Sequence, residues 1–416
     1  MSILKPFAFS SFILILSLIF YPCHSIQGDE LQPEELHSLS ACLMDADSGR
    51  ILYEKEGDVS RPNASTTKIL TCILALEYGS PDDMVTISKY AASMPDVQLN
   101  VQEGEQYRLG DLLYSLMLES HNDSAVAIAE HIGGDVKTFA AMMNEKALEL
   151  GCYNSHFITP NGLDASETID GTEYIHCTTA SDLCRIMAYC IQNEDFLKIT
   201  QTPSYSFTNY VTGDDGNIVP GSKTYSVQNK NAFLTMMDGV LSGKTGFTGK
   251  AGYCYVTALR QDDRTYTVAL LGCGWPNNKT YKWQDAKLLL NYGLEHYTKN
   301  DVFEYNKVLP SLTVSQGIYD ASLQSGIHAD KTPSVSLSYH SSPLVLLTRK
   351  EDTVQVDYDF PSSLQAPVHK GDVVGTITYT LNEEVILKTN IYADKSIEKF
   401  DFPFCLKAIV HRFFLF

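Results

Sequence analysis

The spacing of apolar positions changes several times along the chain, and each change predicts a different kind of element. At the start, Lys5 precedes an uncharged, largely apolar run from Phe7 to Phe20, which Pro22 ends. A basic start, a short apolar stretch and the exit Cys23-His24-Ser25 predict a secretory signal peptide over residues 1–25. An uncleaved anchor is the alternative, but the run is short of the ~18–20 apolar residues that span a bilayer. Tyr21-Pro22 lack the small side chains that would make Cys23 a lipidation site.

From residue 26 to about 297, strand and helix periods alternate. Ser40–Met44 and Arg50–Tyr53 flank the turn-rich link Asp45-Ala46-Asp47-Ser48-Gly49, a hairpin pattern. Thr66–Leu76 is apolar nearly all round, which predicts a buried helix. Helical periods follow over Gly110–Leu118 and Ser124–Ile132, broken around Ser120–Asp123. Two more run over Lys137–Leu150, stopped by Gly151, and over Thr179–Ile191. Gly239–Gly243, Tyr253–Leu259 and Thr265–Leu271 then read as three successive strands, and Trp283–His296 as a closing helix. Strands from both ends of the segment with helices between them predict an α/β sandwich.

From 301 to 395 the period shortens to two. Val335, Leu337 and Tyr339 alternate with serines, and Val354, Val356 and Tyr358 with polar residues, which predicts a small all-β domain. Residues 396–416 form a separate tail. On a helix, Cys405, Ile409, Phe413 and Phe416 share one side with Leu406 and Val410 beside them, while Lys407 and His411 fall opposite. Phe404 and Leu415 intrude on the polar side. An imperfectly amphipathic segment of this length, too short to span, suits an anionic membrane surface. A tail packed on the β domain or left disordered is the alternative.

Composition narrows the function. The 416 residues are 44% hydrophobic and 19% charged, enough to build a core. Lys+Arg number 31 against 50 Asp+Glu, a net charge of −19, which lacks the basic footprint of a nucleic-acid binder. The 10 cysteines include no C-x-x-C pair, and several, such as Cys42, Cys72 and Cys254, sit in apolar runs. That pattern signals neither zinc nor a redox motif and predicts mostly reduced core thiols.

Three short motifs carry the chemistry. Ser65-Thr66-Thr67-Lys68 opens the first buried helix, so the hydroxyl and the amine share a face. A desolvated lysine can activate a serine nucleophile. Taken alone, S-x-x-K occurs by chance about once or twice in such a chain. Ser120-His121-Asn122 occupies the break between two helices and offers a hydroxyl and an amide, although capping residues would look the same. Lys244-Thr245-Gly246, followed by Phe247, comes after the strand-like Gly239–Gly243. Its cation and hydroxyl can grip a carboxylate, and its glycine lets a substrate backbone approach. K-T-G has a chance expectation on the order of 0.1 per chain.

In this order the three motifs resemble the active-site set of the serine penicillin-recognising enzymes. Arg61-Pro62-Asn63-Ala64, Phe157-Ile158-Thr159-Pro160-Asn161-Gly162-Leu163, Asn229-Lys230-Asn231 and Gly243-Lys244-Thr245-Gly246-Phe247-Thr248 resemble one branch. That branch is the low-molecular-weight D-alanyl-D-alanine carboxypeptidases, peptidase family S11. The likeness is dense over residues 38–297. Ala366-Pro367-Val368-His369-Lys370-Gly371 is similar to that family's C-terminal domain.

The resemblance implies an α/β sandwich of the β-lactamase/transpeptidase-like type over 26–297, a small all-β domain over 301–395, and a two-step acyl transfer. Ser65 would attack the penultimate D-Ala carbonyl of a peptidoglycan stem peptide, and Lys68 would take its proton. Ser120 would pass a proton to the leaving amine. Asn122 would bind the substrate's peptide carbonyl. Lys244 and Thr245 would hold the terminal carboxylate, with Gly246 beside them, and backbone N–H groups of Ser65 and Phe247 would form the oxyanion hole. β-Lactams would trap Ser65, and neither metal nor organic cofactor is implied.

Two positions depart from the family pattern: His121 replaces a frequent glycine, and Lys282 stands where an arginine often assists carboxylate binding. Two other readings stay open. A class A β-lactamase would need a deacylating Glu in E-x-x-L-N; the segments at Glu145 and Glu194 lack its Asn. The other is an inert peptidoglycan-binding scaffold. The family resemblance implies a C-terminal anchor as well, so the expected location is the outer face of the cytoplasmic membrane.

Overall fold

The structure is a computed structural model that describes residues 31–213, 217–318 and 332–414. The predicted signal peptide, Leu415 and Phe416 lie outside the described residues. A five-stranded antiparallel sheet organises the first region, in the order Ile51–Lys55, Ser40–Asp45, Arg264–Leu271, Gly252–Gln261, Val240–Thr248. Every residue of Ser40–Asp45 is buried, which is why this strand reads as an unbroken run rather than an alternation.

Alternate residues of the sheet serve two cores. Leu43 and Tyr266 pack on Gly293 of the closing helix Tyr281–His296, and Tyr266 OH donates to the Gly293 carbonyl at 3.0 Å. Cys42 and Met44 instead join a large cluster with Cys184 and Met187 of the helix Ala180–Cys190. That cluster continues through the helices Lys68–Tyr78 and Asn122–Gly133. The helix Lys68–Tyr78 is buried from Lys68 through Ala75, as its all-round apolar pattern requires. Eight of the nine described cysteines are buried, and all nine are free thiols.

Three local differences from the sequence reading position the site. The first helix begins at Lys68, and Ser65 sits on a preceding 3-10 turn, Ala64–Thr67. The helix read over Gly110–Leu118 is α-helical over Leu109–Tyr114 and continues as a π turn, Ser115–Glu119, ended by Ser120 in the left-handed region at φ 71°. The helix then resumes at Asn122 rather than Ser124. The strand read as Gly239–Gly243 covers Val240–Thr248, longer than expected, and Lys244-Thr245-Gly246 lies on it.

A four-stranded sheet (Met84–Thr86, Gln106–Arg108, Ser204–Thr212, Ile218–Gln228) and the hairpin Ser166–Ile169/Thr172–Ile175 were not predicted. The first two strands have three residues each and the hairpin is almost wholly exposed, so these carry no usable period. Ser204–Thr212 and Ile218–Gln228 do alternate, with Tyr205, Phe207, Tyr225 and Val227 on the core side, a period the sequence reading passed over.

Thr298–Asp301 pairs antiparallel with Val345–Thr348 and leads into the all-β region. Its four-stranded sheet runs Leu337–Tyr339, Glu384–Ala393, Val373–Leu381, Val354–Asp359. Val354, Val356 and Tyr358 are its half-buried alternate positions. Arg50 ties the first hairpin to this region, donating to Leu347 O at 2.6 Å and pairing with Asp352 at 3.2 Å.

The chain closes with the helix Phe402–Phe414. Phe404, which broke the predicted amphipathic pattern, is buried and its ring lies 6.4 Å from that of Phe400. Phe402, Leu406, Ile409 and Phe413, spaced i, i+4, i+7 and i+11, are exposed along one stripe with Val410 beside them.

Candidate active site

The turn Ala64–Thr67 is held in shape from three sides. Asn63 Nδ2 donates to Thr66 Oγ1 at 3.2 Å and to Thr67 Oγ1 at 2.8 Å. Gly162, at φ +80°, lies so close that a Cβ there would stand 1.9 Å from the Ala64 carbonyl oxygen. A Cβ on Gly246 would come within 2.8 Å of Ser65 N. Both glycines are therefore required by close approach. Ser65 is thus wedged between the loop 157–164 and the edge strand Val240–Thr248.

Lys68 is wholly buried and its Nζ has three neighbours at 2.8 Å: Ser65 Oγ, Asn122 Oδ1 and Asn161 O. Burial first, then the charge of Lys244, hold its ammonium well below the ordinary lysine range, with Asp123 opposing them. A neutral amine has two N–H bonds and one lone pair. Asn122 Oδ1 and Asn161 O can only accept, so they take the two N–H bonds. The lone pair is left for the Ser65 hydroxyl, which is the alignment a general base needs.

The second lysine lies across the cleft. Lys244 Nζ donates to Ser120 Oγ and to Thr245 O, both at 2.8 Å, and burial pushes its pKa down to about 7. Ser65, Ser120, Thr245, Gly246, Phe247 and Lys282 all line one cleft of about 470 Å³. The strand of Lys244, Val240–Thr248, is the edge of the sheet and among the described residues pairs only with Gly252–Gln261. An extended substrate can add along that edge.

Lys282, in the first turn of the closing helix, reaches this cleft with its Nζ 4.7 Å from the Tyr253 ring and 4.6 Å from that of Trp283. It also donates to Lys279 O. Burial lowers its pKa.

The predicted site residues therefore come together as one constellation, with two adjustments. Asn122 is spent on the protein in this structure: Nδ2 donates to Pro95 O at 3.0 Å and Asp96 O at 3.1 Å. Binding a substrate carbonyl through it requires exchange of one of these bonds. His121 turns away into the core, its Nδ1 2.7 Å from Ser115 Oγ.

Sequence reasoning missed Asn161 as a site residue. Its contribution is a backbone carbonyl, which no side-chain motif announces. It also missed Asp123, whose carboxylate accepts from Leu99 N at 3.0 Å and Asn100 N at 2.9 Å and so pins the segment beside Asn122.

A cleft-lining serine with a buried lysine behind it at a helix start, faced by a second lysine on a sheet edge, defines the serine penicillin-recognising class of acyl-transfer proteins. Comparison with known proteins makes the assignment specific. Residues 27–273 match the Peptidase S11 family, D-alanyl-D-alanine carboxypeptidase, and the chain belongs to that family. Residues 327–399 match the penicillin-binding protein 5 C-terminal domain.

Among the relatives, D-alanyl-D-alanine carboxypeptidase DacF of Bacillus subtilis is 28% identical over 403 residues, covering 94% of this chain and 95% of its own. D-alanyl-D-alanine carboxypeptidase DacB2 of Mycobacterium tuberculosis is 32% identical over 257 residues, 60% of this chain and 80% of its own. The crystal structure of penicillin binding protein 5 from Haemophilus influenzae superposes with a TM-score of 0.64 at 26% identity, covering 89% of this chain and all of that one. These likenesses bear out the sandwich followed by an all-β domain.

Proposed function

We propose that the protein is a serine D-Ala-D-Ala carboxypeptidase that removes the terminal D-alanine from peptidoglycan stem peptides through an acyl-enzyme on Ser65. The observation that carries this reading is the 2.8 Å contact between Lys68 Nζ and Ser65 Oγ, with both lysine N–H bonds assigned to Asn122 and Asn161. The substrate's terminal carboxylate sits against Lys244 and Thr245. Ser65 Oγ attacks the penultimate D-Ala carbonyl as its proton passes to Lys68. The developing oxyanion lies by the backbone N–H groups of Ser65 and Phe247. Ser120, bonded to Lys244, relays a proton to the departing D-Ala amine. Water then hydrolyses the ester, and β-lactams stall at this stage.

Lys282 supplies a second cation at the cleft wall, but as a point charge rather than the bidentate fork of an arginine. The β-lactamase reading is not favoured. Glu145 and Glu194 are exposed on outer helices, and the acceptor next to Lys68 is the Asn161 carbonyl rather than a carboxylate.

We also propose that the enzyme is exported and rests on the outer face of the cytoplasmic membrane. The apolar run Phe7–Phe20 and the exposed stripe of the last helix support this. That helix has 13 residues and rises about 20 Å, against about 30 Å of bilayer hydrocarbon, so it would lie in the interface. No helix among the described residues is long and apolar enough to cross a membrane.

Intact-mass analysis after incubation with a penicillin, followed by measurement of D-Ala release from a diacetyl-Lys-D-Ala-D-Ala peptide, tests the activity. One adduct mapped to Ser65, with D-Ala release that the adduct abolishes, supports it. Rapid penicillin turnover without D-Ala release would overturn it.

A further inference from the structure

His176 lies 3% exposed beneath the site and outside every motif used so far. It is held by its backbone, with His176 N donating to Ala165 O at 2.9 Å, and the Phe157 ring meets it edge-on at 5.7 Å. Its two ring nitrogens face different parts of the catalytic apparatus. Nδ1 accepts from Ile158 N at 3.0 Å and from Thr159 N at 3.2 Å, at the start of the loop 157–164. Nε2 is 2.9 Å from Thr67 Oγ1, on the turn that carries Ser65 and leads into Lys68.

These partners fix the proton. Nδ1 faces two N–H donors, so it must carry a lone pair, and the ring proton lies on Nε2 and is donated to Thr67. Burial pushes the pKa down to about 3, with the neighbouring His156 adding to the effect. The ring therefore stays neutral over the working pH range and keeps both contacts.

The loop so anchored matters because of what it carries next. Pro160 O accepts from Thr71 Oγ1 at 2.6 Å, and Asn161 O accepts from Lys68 Nζ at 2.8 Å. We propose that His176 is a positioning residue that clasps the loop 157–164 to the Ser65 turn and so sets the Asn161 carbonyl that orients the Lys68 lone pair. A Lys68 left without this carbonyl keeps its burial but loses one of the two acceptors that aim its lone pair at Ser65. The expected defect is in acylation and not in substrate capture, because Lys244 and Thr245 hold the carboxylate on the other wall.

The inference rests on the acyl-enzyme reading, and the test separates the two. Acylation by a fluorescent penicillin is followed under single-turnover conditions, giving the initial binding constant and the acylation rate separately. His176→Leu removes both ring contacts at similar bulk and is expected to slow acylation by about 10- to 100-fold, since small misplacements of catalytic groups cost this much. Initial binding should stay within about twofold. His176→Asn keeps an acceptor at the Nδ1 position and should recover most of the rate. Thr67→Val removes only the hydroxyl and should slow acylation less. Combined with His176→Leu its effect should be less than additive, because the two share the Nε2–Oγ1 contact; the part that remains is the Asn63 bond that Thr67→Val also removes. If His176→Leu does not fold, His176→Asn and Thr67→Val carry the same comparison.

Acylation at the unaltered rate in His176→Leu, or with that variant unfolded an unaltered rate in Thr67→Val, overturns the clasp. So does a parallel loss of binding and acylation that tracks a fall in melting temperature. Failure of the unaltered enzyme to acylate at all would instead sink the reading of Ser65.

Discussion

Gly246 lies backbone against backbone with Ser65: a Cβ on Gly246 would stand 2.8 Å from Ser65 N and 3.0 Å from Asn63 O. The sheet edge and the nucleophile turn are thus in direct contact, with no room for a side chain. Gly246→Ala should force them apart while leaving the buried helices intact. We expect acylation by penicillin to fall about 10- to 100-fold, as the oxyanion donors on the two sides separate. Unchanged acylation with an unchanged melting temperature would show that this contact does not set the site.

Ser65→Ala should abolish penicillin labelling while preserving the fold, because among the described residues Ser65 carries the hydroxyl at the Lys68 amine. Intact mass reads the adduct directly, and labelling that persists on another residue would refute the assignment. Lys68→Ala should also stop acylation, since Ser65 loses its proton acceptor. Acylation near the wild-type rate would place the base elsewhere.

With Lys244 in its proposed role of holding the terminal carboxylate, its depressed pKa should make that binding pH-dependent. Its value of about 7 lies below that of a free lysine, so the cation is present below pH 7 and lost as pH rises through it. KM for a peptide ending in a free D-Ala carboxylate should therefore climb above about pH 7, by up to about tenfold per pH unit. An amide-blocked acyl donor should lack this rise. A parallel rise for both would mean that Lys244 acts only through the charge it projects on Lys68. Lys244→Ala should impose the same selective loss below pH 7, about 10- to 100-fold for a charge-assisted contact, narrowing above it as the unaltered enzyme loses the cation, and its own KM should lack the rise.

Truncation after Asp401 removes the exposed stripe of Phe402, Leu406, Ile409 and Phe413. The shortened enzyme should keep D-Ala release on small peptides and lose sedimentation with anionic liposomes. Equal sedimentation of both forms, or none by the longer one, would end the anchoring proposal.

How much of this was legible beforehand differs from residue to residue. Ser65, Lys68, Ser120, Asn122, Lys244 and Thr245 stand in short local motifs, and a motif survives in sequence because its members are neighbours along the chain. The hairpin at Asp45–Gly49, the buried helix from Lys68 and the alternation at Val354–Tyr358 were visible for the same reason: one-sided or all-round burial imposes a period on consecutive residues. The hairpin at Ser166–Ile175 and the three-residue strands Met84–Thr86 and Gln106–Arg108 were hidden, because short or exposed strands carry no such period; the alternation at Tyr205–Phe207 and Tyr225–Val227 was present and passed over.

The sequence by itself determined which side chains can do the chemistry and the order in which they enter the fold. Only the tertiary structure decided their alignment. The Asn161 carbonyl, 93 residues beyond Lys68, takes one of its N–H bonds. Lys244, 124 residues beyond Ser120, takes that hydroxyl as its acceptor. His176 spans Thr67 and Ile158 with two ring nitrogens. Each of these is a contact between distant segments, two of them to backbone atoms that every residue possesses. Residue identity cannot announce such a contact. It arises where the packed core brings the segments together and removes the water that would otherwise satisfy them.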